Sequence, residues 1–201
     1  MRAEFLFRWL HVFFGIVWLG HLYFFNFVNA PVQAALDDAG KKAVNPTLMP
    51  RALWWFRWGA MLTFLSGLVL FGLIYMRTPG VGWGPNAIFS GGEGLSDRAR
   101  WILWGMLFGT IMWFNVWALI WPAQRKLLRG AAGAQADALR RRAGLASRVN
   151  TYLSGPLLVG MLGANHAGVG FTYPRLIGLS VAAVVAIKVA FAHSTFVGKS
   201  V

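Results

Sequence analysis

Four histidines are the side chains of this sequence best suited to ligate iron or move a proton from within an apolar segment. His11 and His21 stand ten residues apart in the run "RWLHVFFGIVWLGHLYFF", His166 lies in "GANHAGVG" and His193 in "IKVAFAHSTF". On a helix, ten residues rise about 15 Å and turn a side chain by about 80°. His11 and His21 therefore cannot bind the same metal atom. Each can serve a separate haem, because haem iron accepts axial imidazole. The expectation is one or two non-covalent b-type haems, ligated by His11 with His166 and by His21 with His193. A neutral histidine hydrogen-bonded to a neighbouring carbonyl or hydroxyl is the plainer alternative, and residue type alone leaves both open. A zinc or copper site fits less well, since neither level offers a carboxylate, a thiolate or a third histidine.

Three cations accompany the histidines. Arg8, Arg57 and Lys188 fall inside apolar segments, where a basic residue costs about 2.5–3.5 kcal/mol at the centre of a span. Arg8 and Arg57 sit near opposite ends and can snorkel to headgroups, whereas Lys188 is deeper. Haem propionates or an anionic substrate are natural counter-ions for all three. There is no membrane-embedded aspartate or glutamate, Glu4 standing at the very start of the first apolar segment, which argues against a carboxylate proton relay or a cation transporter.

The elements that must carry these groups are membrane helices. Of 201 residues, 57% are hydrophobic and 12% charged, about half the charged share of a soluble domain. Five stretches reach the ~20 residues needed to cross a bilayer: 4–28, 52–76, 101–122, 151–169 and 174–197. The fold class is an all-α polytopic bundle, read as a single membrane domain over 1–201. The first run is too long for the apolar core of a signal peptide and is read as a helix. Prolines and Asn-Pro in "NAPVQAALDDAGKKAVNPTLMP" mark a loop with one surface turn of helix. The second loop is rich in Gly and Pro. The third, "AQRKLLRGAAGAQADALRRRAGLASRVN", holds good helix formers and should extend helices three and four.

The net charge of +13 is concentrated in loops, which favours topology and anionic lipid over nucleic acid as its explanation. Lys41, Lys42, Arg51, Arg125, Lys126, Arg129, Arg140, Arg141, Arg142, Arg148 and Lys199 fall at one end; Arg2, Arg77, Arg98, Arg100 and Arg175 fall at the other. The positive-inside rule then puts the N-terminus outside and the C-terminus in the cytoplasm. On that topology His11 and His166 lie in the outer half, His21 and His193 in the inner half.

Trp54, Trp55, Trp58, Trp101, Trp104 and Trp121 lie near span ends, where indole rings settle at headgroup level. Gly105-x-x-x-Gly109 permits close helix approach, with room for a flat cofactor as the alternative. The absence of cysteine excludes disulfides, thiolate metal sites and C-x-x-C-H haem attachment. "VGKSV" lacks the upstream glycine of a P-loop, no dinucleotide fingerprint occurs, and no Ser-His-acid set can be assembled.

The ordered strings "RWLHVFFGIVWLG", "LWWFRWGAMLTFLSG", "GTIMWFNVWALIWPAQRKLL" and "LASRVNTYLSGPLLVGMLGANH", with "AH" near the end of the last span, resemble the membrane domain of bacterial cytochrome c-linked urate oxidases. The resemblance implies a multi-helix inner-membrane domain tied to urate oxidation and passing electrons to a c-type cytochrome. His11, Asn150, Asn165, His166 and His193 fall at its motif positions. His21 stands where the family pattern has a small polar residue. The cytochrome domain of those enzymes carries C-x-x-C-H, so here the acceptor would be a separate cytochrome or a quinone. Three functions follow as expectations. One is a b-haem electron carrier. Another is a urate hydroxylase-like enzyme receiving its anion at Arg8 or Arg175. The third is a non-catalytic subunit packed against other membrane subunits of a respiratory or photosynthetic complex.

Overall fold

The computed structural model describes residues 3–78, 80–85, 88–89, 94–168 and 170–198. Arg2 and Lys199, counted above toward the charge of the two ends, lie outside the described residues. Five long helices form the bundle: α1 Ala3–Ala35, α2 Asp38–Tyr75, α3 Asp97–Leu128, α4 Ala136–His166 and α5 Tyr173–Ser194. Among the described residues α1, α2, α3 and α5 are long and apolar enough to cross a membrane. Helix α4 is more polar because it is the central helix, packed against α1, α3 and α5. Sequential neighbours are antiparallel, so the N-terminus of α1 and the C-terminus of α4 share one end of the bundle, called here the histidine end. The α1–α2 and α3–α4 connections share the other, basic end.

The first connection departs from the expected loop. Helix α1 continues to Ala35, and only Leu36 and Asp37 interrupt the chain before α2 begins at Asp38. The prolines that suggested a loop sit inside α2. Pro46 and Pro50 are four residues apart on one exposed face, so the carbonyls of Lys42 and Pro46 that lose an N–H partner both face outward. Asp37 caps the helix, accepting from Gly40 N at 2.7 Å. Gln33 and Asn45 clamp the two helix ends by exchanging amide hydrogen bonds of 2.7 and 2.9 Å. At the third connection both flanking helices lengthen as expected, α3 to Leu128 and α4 back to Ala136. The second connection contains a short antiparallel pair, β1 Arg77–Thr78 with β2 Gly82–Trp83. The α4–α5 turn is tied down where Phe171 N donates to Asp97 Oδ2 at 2.9 Å.

Helices α1 and α3 share an unusual device. Each contains a π turn, Phe24–Asn29 and Asn115–Ile120, with a proline two residues after its end, at Pro31 and Pro122. The N–H groups of Ala30 and Trp121 reach back five residues, to the carbonyls of Phe25 and Val116. The wider turn accommodates a proline ring that would clash in a regular helix. It also swings an asparagine toward α4. Asn26 Nδ2 donates to Ser147 Oγ at 2.9 Å, and Asn115 Nδ2 donates to Asn150 Oδ1 at 2.7 Å. Asn150, fully buried, passes its own Nδ2–H to the Met112 carbonyl at 3.0 Å. Tyr23 Oη and Ser154 Oγ lie 2.9 Å apart. Helix α4 is thus fixed against both neighbours by a polar stripe.

Small residues set the closest approaches. On α2, Gly59 lies against Trp18 of α1, where an added Cβ would stand 3.1 Å from the Trp18 backbone nitrogen. Gly105 of α3 meets Gly160 of α4 backbone to backbone. The sequence motif Gly105-x-x-x-Gly109 is split between two uses: Gly105 packs, while Gly109 lines a cavity. Trp101 is not a surface ring; it is 2% exposed and stacks over Gly163. Trp104 Nε1 donates to Ser180 Oγ of α5 at 3.1 Å. Of the expected belt, Trp54, Trp55 and Trp58 are exposed.

Gly160→Ala should be costly, since its Cβ would fall 2.6 Å from Gly105 Cα and 2.8 Å from the Trp101 carbonyl oxygen. Overpacking of this kind costs on the order of 1–3 kcal/mol. The melting temperature in detergent should fall clearly, whereas Gly144→Ala, which meets open space, should leave it unchanged or slightly raised. Equal melting of the two variants would contradict the α3–α4 contact.

Candidate functional site: a cavity between two histidines

A cavity of about 640 Å³ opens between α1, α2, α3 and α4, within the size range of small-molecule and cofactor sites. Its deeper walls are mostly apolar, among them Leu19, Met106, Leu157 and Met161, with Tyr23 and Thr110 as the polar residues there. Its charged and histidine lining lies at the histidine end, where Arg8, His11, Tyr75, Arg98, Asn165 and His166 all contribute. An amphipathic ligand would enter with its polar edge toward that end.

His11 and His166 face this one space from opposite sides. Their register follows from the Tyr23–Ser154 contact. His11 lies twelve residues from Tyr23 and His166 twelve residues from Ser154, each about 18 Å toward the histidine end. The Asn26–Ser147 bond gives the same level to within about one helical turn.

The His11 ring is held by α2. Its Nδ1 lies 2.9 Å from the Thr63 carbonyl oxygen and 3.4 Å from Ser66 Oγ. A carbonyl can only accept, so Nδ1 carries the proton and Nε2 keeps its lone pair. This is the arrangement by which metal-ligating histidines are commonly oriented, one ring nitrogen on a carbonyl and the other free. Gly67 makes it possible, since a Cβ there would stand 2.9 Å from His11 Cε1 and 3.1 Å from Nδ1. His166, the last residue of α4, is exposed and has no side-chain hydrogen bond among the described residues. One ring is pre-set; the other is free to adjust.

The second expected pair is not brought together. His21 lines a different concavity, between α1 and α2, and its Nδ1 donates to the Val17 carbonyl of its own helix at 2.8 Å. His193 is exposed on α5 and lines neither space. The physical reason is the helical period: the 80° between His11 and His21 turns the second ring out of the cavity that receives the first.

The three expected cations also separate. Arg8 lines the cavity and pairs with Glu4 at 2.6 Å. Arg57 does not line it; its guanidinium lies 3.7 Å from the centroid of the Trp121 ring, a cation–π contact at the α2–α3 interface. Lys188 is exposed on α5. Arg175 donates to the Gly170 carbonyl at the α4–α5 turn. A cation that sequence reasoning counted only toward loop charge does reach the cavity. Arg98 donates to Asn165 Oδ1 at 3.0 Å and lies 5.4 Å from the Tyr75 ring centroid. Its position on the first turn of α3, level with the end of α4, was the available signal. Asn150, singled out by the family pattern, is the buried tie between α3 and α4 described above. Among the described residues no group of three or more His, Cys, Asp or Glu forms a chelating cluster.

Gly67→Ala should push the His11 ring off the Thr63 carbonyl. In 15N-histidine-labelled protein, His11 should give the Nδ1–H tautomer in the wild type and lose it in the variant. An unchanged His11 spectrum would contradict the cradle.

No curated protein and no solved structure is significantly similar to the chain. The chain matches the family described as Urate oxidase N-terminal over residues 36–83 and 85–200, a span that includes α2, α3, α4 and α5. This protein belongs to the urate oxidase N-terminal family.

Proposed function

We propose that the protein is an integral membrane redox protein carrying one b-type haem in the cavity, where His11 and His166 would hold its iron. The observation that carries this reading is the pair of imidazoles at one level of a single 640 Å³ cavity, one of them locked with Nε2 free by the Thr63 carbonyl. Arg8 and Arg98 at the polar end would meet the haem carboxylates, and the apolar deeper walls would cover the macrocycle. Bound there, the haem supplies one-electron transfer. His11 and His166 would hold the iron, and Arg8 and Arg98 would supply positive charge at the cavity mouth, which are among the levers a protein has over such a group. The arrangement favours one haem over two, because His21 and His193 share no space. Four apolar helices support a lipid environment, and the basic end, by the positive-inside rule, would face the cytoplasm of a bacterial inner membrane. The electron partner would be a separate cytochrome or a quinone.

The test is the dithionite-reduced minus oxidised spectrum of purified protein. The wild type should show a b-type band near one haem per chain. His11→Ala and His166→Ala should lose it by at least the roughly 10–100-fold that loss of an outer partner alone costs a metal site. His21→Ala and His193→Ala should keep it. A haem-free wild type, or haem content indifferent to residues 11 and 166, overturns the reading.

A second reading has its own support in the family and in the two arginines at the cavity mouth. The same cavity would receive the urate anion at Arg8 and Arg98 in a hydroxylase-like reaction. Urate-driven reduction of an added cytochrome that fails in Arg98→Ala would favour it; no turnover with any acceptor would count against it.

A further inference from the structure

Arg57 is a permanent cation with no anion beside it. The ion pairs among the described residues use Arg8, Arg100 and Arg140, and Arg57 Nε is buried without a hydrogen-bond partner. Its guanidinium lies 3.7 Å from the centroid of the Trp121 ring. That contact steadies the charge but leaves the five N–H donors of the fork without acceptors. The described carboxylates at the basic end do not reach it. Asp37 caps Gly40, Asp137 pairs with Arg140 at 2.8 Å, and Asp38 begins α2 nineteen residues away, about 28 Å along the helix.

Direction and depth decide which anion can come. Phe64 stacks on Trp113 with ring centroids 4.5 Å apart, and Trp58 meets Trp117 edge-on at 5.7 Å, so α2 and α3 run side by side with Arg57 level with Trp121. Arg125 stands one turn nearer the basic end on the same face of α3 as Trp121, and it is exposed. Helical side chains lean toward the N-terminus of their own helix. For α2 that is toward the basic end and for α3 away from it, so Arg57 and Arg125 lean toward each other. Exposed Trp54 and Trp58 flank them, at the depth where indole rings meet headgroups. Toward the membrane interior the same outer face continues through exposed Leu65 of α2 and exposed Phe114 and Ile111 of α3. Two converging guanidinia followed by an apolar track fit an amphiphile with an anionic head. A dissolved anion has no use for the track, and a zwitterionic head brings its own ammonium against the arginines.

We propose that Arg57 and Arg125 hold the phosphate of an anionic phospholipid in the basic-end leaflet, its acyl chains lying along Leu65, Ile111 and Phe114. The site needs no occupant in the cavity, so it stands or falls apart from the haem reading.

Full-length protein in detergent, titrated with palmitoyl-oleoyl phosphatidylglycerol and followed by native mass spectrometry, tests it. The first lipid should saturate at one per chain. Phosphatidylcholine with the same chains should bind there about tenfold more weakly, equivalent to about 1.4 kcal/mol. Arg57→Gln and Arg125→Gln should each weaken the first phosphatidylglycerol by a similar factor. Arg57→Lys, which keeps the charge without the fork, should recover part of the loss. Lys188→Gln, which removes an exposed cation from α5, should bind as the wild type does. In 15N-arginine-labelled protein in phosphatidylglycerol bilayers, the Arg57 guanidinium should be dephased by lipid 31P. The proposal is overturned by equal affinity for the two lipids, by an affinity indifferent to residues 57 and 125, or by no 31P dephasing at Arg57. Inorganic phosphate that displaces the lipid at equal concentration would make this a site for a dissolved anion and equally refute it. If Arg57→Gln fails to fold, Arg125→Gln and the comparison of the two lipids still decide.

Discussion

Hydrogen bonds from α4 to its neighbours set the level of everything else in this bundle. In a membrane, apolar packing alone does little to fix how far one helix slides along another, because lipid tails are as apolar as leucine. Ser147, Asn150 and Ser154 remove that freedom by binding Asn26, Asn115 and Tyr23. Each such bond is worth only about 0.6 kcal/mol on average and up to about 1.7 kcal/mol. Their effect on geometry is larger than their energy suggests, since a slip of one residue would break several at once. The π turns of α1 and α3 belong to the same arrangement. They absorb Pro31 and Pro122 and aim the two asparagines inward.

Above the polar stripe the helices part on one side and close on the other. Gly59 and Gly67 let α1 lie tight on α2, and Gly105 with Gly160 lets α3 lie tight on α4. The two close pairs leave a gap between α1 and α4 toward the histidine end, and that gap is the cavity. His11 belongs to the tight α1–α2 pair and is therefore rigid. His166 ends α4 and is not. The same helix, α1, turns His21 into the other concavity, so one element presents an imidazole to each of two spaces.

How far this was legible in the sequence differs by element. Apolar length gave the four helices able to span a membrane, the fifth expected span, 151–169, being part of the more polar central helix α4, and helix-forming residues gave the extensions of α3 and α4. The first connection was misread because Pro and Asn-Pro are local turn signals, while the Gln33–Asn45 clamp and the exposed face that tolerates Pro46 and Pro50 are tertiary facts. Counting along the chain placed His11 and His166 toward one end, but direction around a helix needs packing partners. For that reason His21 and His193 looked like a pair by depth and face different ways. Arg57 and Lys188 were equally ambiguous: a basic residue in a span can serve a ligand, an aromatic ring or the lipid boundary. Arg98 was overlooked because it begins α3, where charge is ordinary; only the end of α4 beside it, bringing Asn165 within 3.0 Å, makes it part of the cavity mouth.

Electron paramagnetic resonance of the oxidised, haem-loaded protein tests most directly whether the two imidazoles meet across the cavity. The account predicts a low-spin ferric signal of bis-imidazole type that turns high-spin or disappears when either His11 or His166 is replaced. A high-spin signal in the wild type, or a low-spin signal that survives both replacements, would contradict it.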